Sequence, residues 1–131
     1  MEKIIYKDLS YEVVGILFQT FEELGYGYHE RTYEKAIENL LVLHDLNYKR
    51  QIPYNLKFAG ADLKRMYFDF LIENKIVLEL KVGNRFLKNN LYQIKEYLKI
   101  SGKQLGILAN FTSQGVKFYR VLNINDSISG K

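Results

Sequence analysis

YFDFLIENKIVLELK, residues 67–81, sets two apolar runs on either side of the polar trio Glu73-Asn74-Lys75, which is the pattern of a tight β-hairpin. With those three residues as the turn, Ile72 faces Ile76, and stepping outward sets Asp69 directly opposite Glu79. Opposed Cβ atoms lie about 4.5–5.5 Å apart on one face. Lys81 shares the face of Glu79, because strand side chains alternate. Phe68, Phe70 and Ile72, with Leu78, Leu80 and Val82, take the other face, which is expected to be core. Two carboxylates so close repel unless a proton, a cation or the lysine lies between them. A divalent metal is the simplest solution. The competing reading is a solvent-facing strand whose acids pair with Lys81, worth about 0–1 kcal/mol.

Working upstream, residues 64–72 and 51–58 read as neighbouring strands, and Pro53 puts the second of these at a sheet edge or a bulge. Ahead of them the period changes to that of helices. Ser10 is expected to cap the first, with Val14, Leu17, Phe18 and Phe21 on its apolar stripe and Gly25 at its end. A second helical pattern runs to about Leu43, with Tyr33, Ile37, Leu40 and Leu41 on one side, and His44 extends the stripe as a hydrogen-bonded core residue. Downstream, Leu91, Ile94 and Leu98 mark a third helix ending near Gly102. Residues 105–111 are almost wholly apolar, as in a strand buried on both faces, and residues 116–122 return beside it. The order ααβββαββ implies one α/β domain over residues 1–131, a mixed central sheet flanked by helices, with its core at about 10–122 and a loose tail at 123–131.

Composition narrows the chemistry. With 131 residues, 47% of them hydrophobic, the chain can bury a real core as one domain. No apolar run approaches the ~20 residues of a membrane span, and no secretory signal opens the sequence, so a soluble cytoplasmic protein is expected. Zero cysteines and two histidines leave oxygen as the main metal ligand, which favours Mg2+ or Mn2+. Net charge is +4, unevenly spread: residues 1–50 hold six basic and nine acidic side chains, residues 51–131 thirteen and six. From Lys81 to Lys103 six Lys or Arg meet a single acid, Glu96, a balance that attracts a polyanion such as nucleic acid or else marks a solvated helix face.

A third acid joins the pair. Glu30 lies three residues before Tyr33 and seven before Ile37, so it projects from the core-facing stripe of the second helix. It is therefore a candidate oxygen ligand, with a simple helix-dipole interaction as the competing role.

Asp69 followed across a hairpin by Glu79-Leu80-Lys81 resembles the PD-(D/E)XK nuclease motif, and the surrounding element order resembles that superfamily's restriction-endonuclease-like core. Gly27-Tyr28-His29-Glu30-Arg31-Thr32-Tyr33 resembles the signature of the GxxExxY family within it, as do Arg50–Tyr54, Gln93 with Tyr97-Leu98-Lys99, and the strand near Gly106–Phe111. Two positions depart from the pattern: Phe68 stands where a proline is frequent, and no arginine directly precedes Asp69, Arg65 being the nearest substitute. The resemblance implies a metal-dependent nuclease acting on DNA or RNA. It implies Asp69, Glu79 and the backbone carbonyl of Leu80 as ligands of Mg2+ or Mn2+, Glu30 as a ligand or orienter of the metal's water, Lys81 as the residue holding the attacking water, and Gln93 as a group steadying nucleophile or phosphate. The alternatives are a nucleic-acid-binding module that keeps the fold without catalysis, and a protein-interaction subunit, including a homodimer that uses some of the eleven tyrosines.

Overall fold

The chain runs α1 (Lys7–Leu24), α2 (Glu30–Leu43), β1 (Tyr48–Phe58), β2 (Ala61–Ile72), β3 (Ile76–Val82), α3 (Lys88–Ser101), β4 (Leu105–Thr112) and β5 (Gly115–Leu122), in the expected order. A computed structural model describes residues 4–85 and 88–124. The five strands lie in the order β1-β2-β3-β4-β5. Neighbours are antiparallel except β3 and β4, which are parallel and joined through α3, as a parallel pair requires. This is a mixed sheet flanked by helices, the restriction-endonuclease-like arrangement. No helix among the described residues is long and apolar enough to cross a membrane.

Both faces of the sheet are covered. On one side Val13, Leu17, Tyr33, Ile37 and Leu41 of α1 and α2 pack on Phe70, Ile72, Leu78, Leu80 and Phe111. Tyr33 stacks on Phe111 with ring centroids 4.5 Å apart, and its hydroxyl donates to the Gly25 carbonyl at 2.6 Å, so the buried phenol leaves no unpaired polar group. On the other side Ile94 and Leu98 of α3 meet Leu71, Val77 and Leu108. Burying one such aliphatic side chain stabilises the fold by about 1.5–3 kcal/mol. All eight residues of β4 are buried, as its apolar run requires. Close approach of α3 depends on Gly106: a Cβ there would stand 2.4 Å from Ile94 Cγ2 and 3.1 Å from Val77 Cγ1.

The hairpin register is the expected one. Glu73 and Asn74 adopt positive φ of 53° and 55°, Lys75 N–H donates to the Ile72 carbonyl at 2.9 Å, and the pairs are Ile72–Ile76, Leu71–Val77 and Phe70–Leu78. Pro53 sits on β1, an edge strand, where a missing N–H costs no ladder bond.

Local expectations fail at four places. α1 begins at Lys7 with Tyr6 as N-cap, and Ser10 is buried inside the helix. Its buried stripe is Val13, Ile16, Leu17 and Thr20; Phe18 is half exposed and meets Phe118 edge-on at 6.0 Å. His44 is hydrogen-bonded, to Glu12 at 2.8 Å, but at the surface. Phe68 joins the α3 side, not the side of Phe70. At the end of the chain Asn123 is held by three hydrogen bonds, from its N–H to Gln104 and from its side chain to Leu98 and Lys103; residues 125–131 lie outside the described residues.

Candidate metal centre

β2 and β3 pair only as far as Phe70 and Leu78. Beyond that point the two acids take over the role of the missing ladder: Asp69 N–H donates to Glu79 Oε1 at 3.1 Å, and Leu80 N–H donates to Asp69 Oδ2 at 2.8 Å. Buried backbone N–H groups need acceptors, and here carboxylates supply them. Asp69 and Glu79 are each 7% exposed, so the surface ion-pair reading of this hairpin fails. The disturbance extends to β1, where Gln51 has φ 57° and the β1–β2 ladder passes from Arg50–Phe70 to Ile52–Phe68. Phe68 and Phe70, two residues apart, consequently lie in different core clusters.

Asp69 thereby comes up to α2. Carboxylate oxygens of Glu30, Glu34 and Asp69 all lie within 4.8 Å of one another. Opposed oxygens on one hard cation span roughly 4.0–5.2 Å, twice the usual Mg–O or Ca–O distance, so this donor set could hold a single divalent ion. The electrostatics agree. Burial pushes the Glu30 carboxyl up, with Lys81 opposing and Asp69 and Glu34 adding repulsion. Burial also pushes Glu34 up, Asp69 next, against the nearby Arg50. Glu79 is pushed up to about 9, first by burial and then by Asp69, with Lys81 opposing. In all three acids the shift disfavours the charged form, and a cation among them would oppose it.

Of the residues expected from the sequence, Glu30 and Asp69 meet within this triad. Glu79 stands beside them, joined to Asp69 by hydrogen bond and to Lys81, whose Nζ is 3.5 Å from Glu79 Oε2. Leu80 contributes the N–H that holds Asp69, and its side chain is core. Gln93 is half buried on α3, one turn before Tyr97, which packs on Phe68; it is not hydrogen-bonded to Asp69, Glu79 or Lys81. His29 is the α2 N-cap residue, exposed and without a side-chain capping bond. Tyr26 and Tyr28 are 42% and 48% exposed beside Gly27.

Two residues were not singled out from sequence. Glu34 follows Glu30 by one helical turn, a spacing that places both on one face. Arg50 donates to Glu34 Oε1 at 2.6 Å, to Glu38 Oε1 at 3.1 Å and, through Nε, to the Asp69 carbonyl at 3.2 Å, while lying 4.5 Å over the Phe70 ring. Arg65, by contrast, is occupied with Tyr67 at the exposed end of β2. The guanidinium beside Asp69 thus comes from the neighbouring strand.

A family model described as the PD-(D/E)XK nuclease superfamily matches residues 7–121. A solved structure described as "Crystal structure of SSO0001" shares the fold with a TM-score of 0.54 at 20% identity, over 76% of this chain and 52% of that one. This chain therefore spans about half of that chain's length. No curated protein matches the sequence.

Proposed function

We propose that this chain, which belongs to the PD-(D/E)XK nuclease superfamily, is a divalent-metal-dependent nuclease that hydrolyses phosphodiester bonds of DNA or RNA. The observation that carries this reading is the meeting of Glu30, Glu34 and Asp69 within 4.8 Å at the point where β2 and β3 separate, with Glu79 and Lys81 alongside. The all-oxygen donor set favours Mg2+ or Mn2+. Asp69, Glu79, Glu30 and the backbone carbonyl of Leu80 would hold the ion, and Glu34 joins them on geometry. A bound ion supplies Lewis acidity and lowers the pKa of a water. Lys81 Nζ orients the attacking water and offsets negative charge that develops on the scissile phosphate. Glu30 accepts a hydrogen bond from that water, and Gln93 steadies it or the phosphate from α3. The signature at residues 27–33 supports a finer placement in the GxxExxY family, and the reading sets the activity in the cytoplasm.

Cleavage of single- and double-stranded DNA and RNA with Mg2+ and with Mn2+ tests the proposal. Lys81→Ala and Asp69→Ala are expected to lower the rate by about 10²–10³, the usual cost of losing one group that stabilises developing charge. Unchanged cleavage in either variant would sink it. Metal-independent binding with no cleavage of any of the four substrates would instead identify a binding module that keeps the fold.

A further inference from the structure

On the α3 side of the sheet, the parallel register sets Asn110 of β4 beside Lys81 of β3, and the antiparallel register sets Lys117 of β5 beside Asn110. Strands lie about 4.8 Å apart, so this row carries the surface from Lys81 to Lys117 over roughly 10 Å. A cleft with a volume of 330 Å³ opens at the Asn110–Lys117 end of this row, lined by Asn84, Arg85, Asn110, Ser113, Lys117 and Tyr119 among others, with no acid among the described residues of its wall. Its rim is preformed: Asn84 Oδ1 accepts from the Ser113 N–H at 3.0 Å and from its hydroxyl at 3.3 Å, and Gly83 N–H donates to the Phe111 carbonyl at 2.9 Å.

At the base of this cleft Asn110 is 4% exposed. Its Nδ2 donates to the Arg85 carbonyl at 3.4 Å, which fixes the orientation of the amide. Asn110 Oδ1 is then a buried acceptor with no partner among the described residues. Buried polar groups are nearly always hydrogen-bonded, and an exception calls for a cause. A ligand that brings an N–H or O–H supplies one. The remaining lining is cationic and hydrogen-bond-donating, with one aromatic side chain, Tyr119. Its size stands at the small end of the ~300–1,000 Å³ range of small-molecule sites, enough for one nucleotide and too little for a base pair.

We propose that this cleft is a subsite for one unpaired nucleotide next to the scissile phosphate, with Arg85 and Lys117 on a phosphate, Tyr119 against the base and Asn110 Oδ1 accepting from the base or sugar. The proposal rests on the nuclease reading and deepens it: the substrate is single-stranded where it crosses β4 and β5. Stacking on an aromatic face and cationic contacts to the backbone are the ordinary means of holding a single strand.

The test avoids catalysis. Binding of AMP, dAMP, adenosine and inorganic phosphate to the metal-free protein in EDTA is followed by NMR shift titration in wild type, Asn110→Ala, Lys117→Ala and Lys7→Ala. The expected result is that AMP or dAMP binds more tightly than phosphate or adenosine alone. Each of Asn110→Ala and Lys117→Ala then weakens binding by about tenfold, the scale of one hydrogen bond to a charged or buried partner, while Lys7→Ala, at an exposed cation on α1, leaves it unchanged. Tighter AMP than dAMP assigns the acceptor to the ribose hydroxyl; equal binding assigns it to the base. Absence of nucleotide binding, phosphate binding as tight as AMP, or insensitivity to both cleft substitutions would overturn the subsite. Lys117 is exposed, so its variant reports even where Asn110→Ala disturbs folding. Nucleotide binding by a protein that cleaves nothing would separate failure of the nuclease reading from failure of this one.

Discussion

Glu79 carries a carboxyl that burial and the neighbouring Asp69 hold well above the usual carboxylate range, up to about 9 against an ordinary 4.5. Between those two pH values the folded state binds the extra proton. The contribution to stability is therefore complete below about pH 4.5 and drains away as pH rises through 9. Glu30 and Glu34 are shifted in the same direction. Metal-free protein should accordingly lose on the order of a few kcal/mol between pH 5.5 and 8.5, read as a falling urea midpoint. Mg2+ should restore the midpoint at the higher pH, since it binds the ionised form. Glu79→Gln should flatten the metal-free profile; a variant as pH-sensitive as wild type would show that this carboxyl is not the source. Asp69, Glu79, Lys81 and Glu30 were legible as candidates because periodicity alone ties them to strand and helix faces. Glu34 was not, although it stands one turn from Glu30, because in the sequence a helix acid resembles any surface glutamate until its neighbours are known, and its side chain is only 15% exposed in the fold.

At the level of elements, the irregularity between β1, β2 and β3 turns a plain hairpin into a site. Turn chemistry fixed the register at residues 73–75, so the opposition of Asp69 and Glu79 could be counted out from Ile72 and Ile76. The parting of the strands could not, since it is accompanied by Gln51 at positive φ and by Arg50 reaching across from the edge strand, and neither leaves a mark in the periodicity. Helix starts were also hard to read: Ser10 has a good capping side chain, but its site is buried and the helix begins a turn earlier. Arg50 links β1 to α2 through Glu34 and Glu38, and to β2 through the Asp69 carbonyl and the Phe70 ring. Its fork cannot be copied by an ammonium group. Arg50→Ala should cost about 1–3 kcal/mol, less than a fully buried pair because the Arg50 side chain is 28% exposed. Arg50→Lys should recover little of it in urea unfolding. Full recovery by lysine would mean that charge alone, without the planar geometry, holds α2 against the sheet.

Across the whole molecule the charge gradient along the sequence becomes a division in space. Acidic side chains of α2 gather at the metal centre around Arg50, whereas Lys88 and Lys95 of α3 flank the β5 surface. Tyr119 borders both that surface and the cleft beside Asn110, so the basic flank of α3 continues the row that starts at Lys81. Glu96, the one acid of the basic stretch, is engaged by the Tyr54 hydroxyl and ties α3 to the edge strand. A single strand lying along this path meets cations on either side of Tyr119. Binding that neutralises phosphates releases counterions, and the logarithm of affinity falls linearly with the logarithm of salt by roughly 0.7–0.9 per phosphate contact. For the metal-free protein and a fluorescent single-stranded oligonucleotide, Lys88→Ala and Lys95→Ala should each reduce that slope by about one contact, and the double variant by about two. Lys7→Ala, an exposed cation on α1, should leave it unchanged. Equal slopes in wild type and all four variants would make the basic stretch an ordinary solvated helix face and would confine recognition to the metal centre and the cleft beside it.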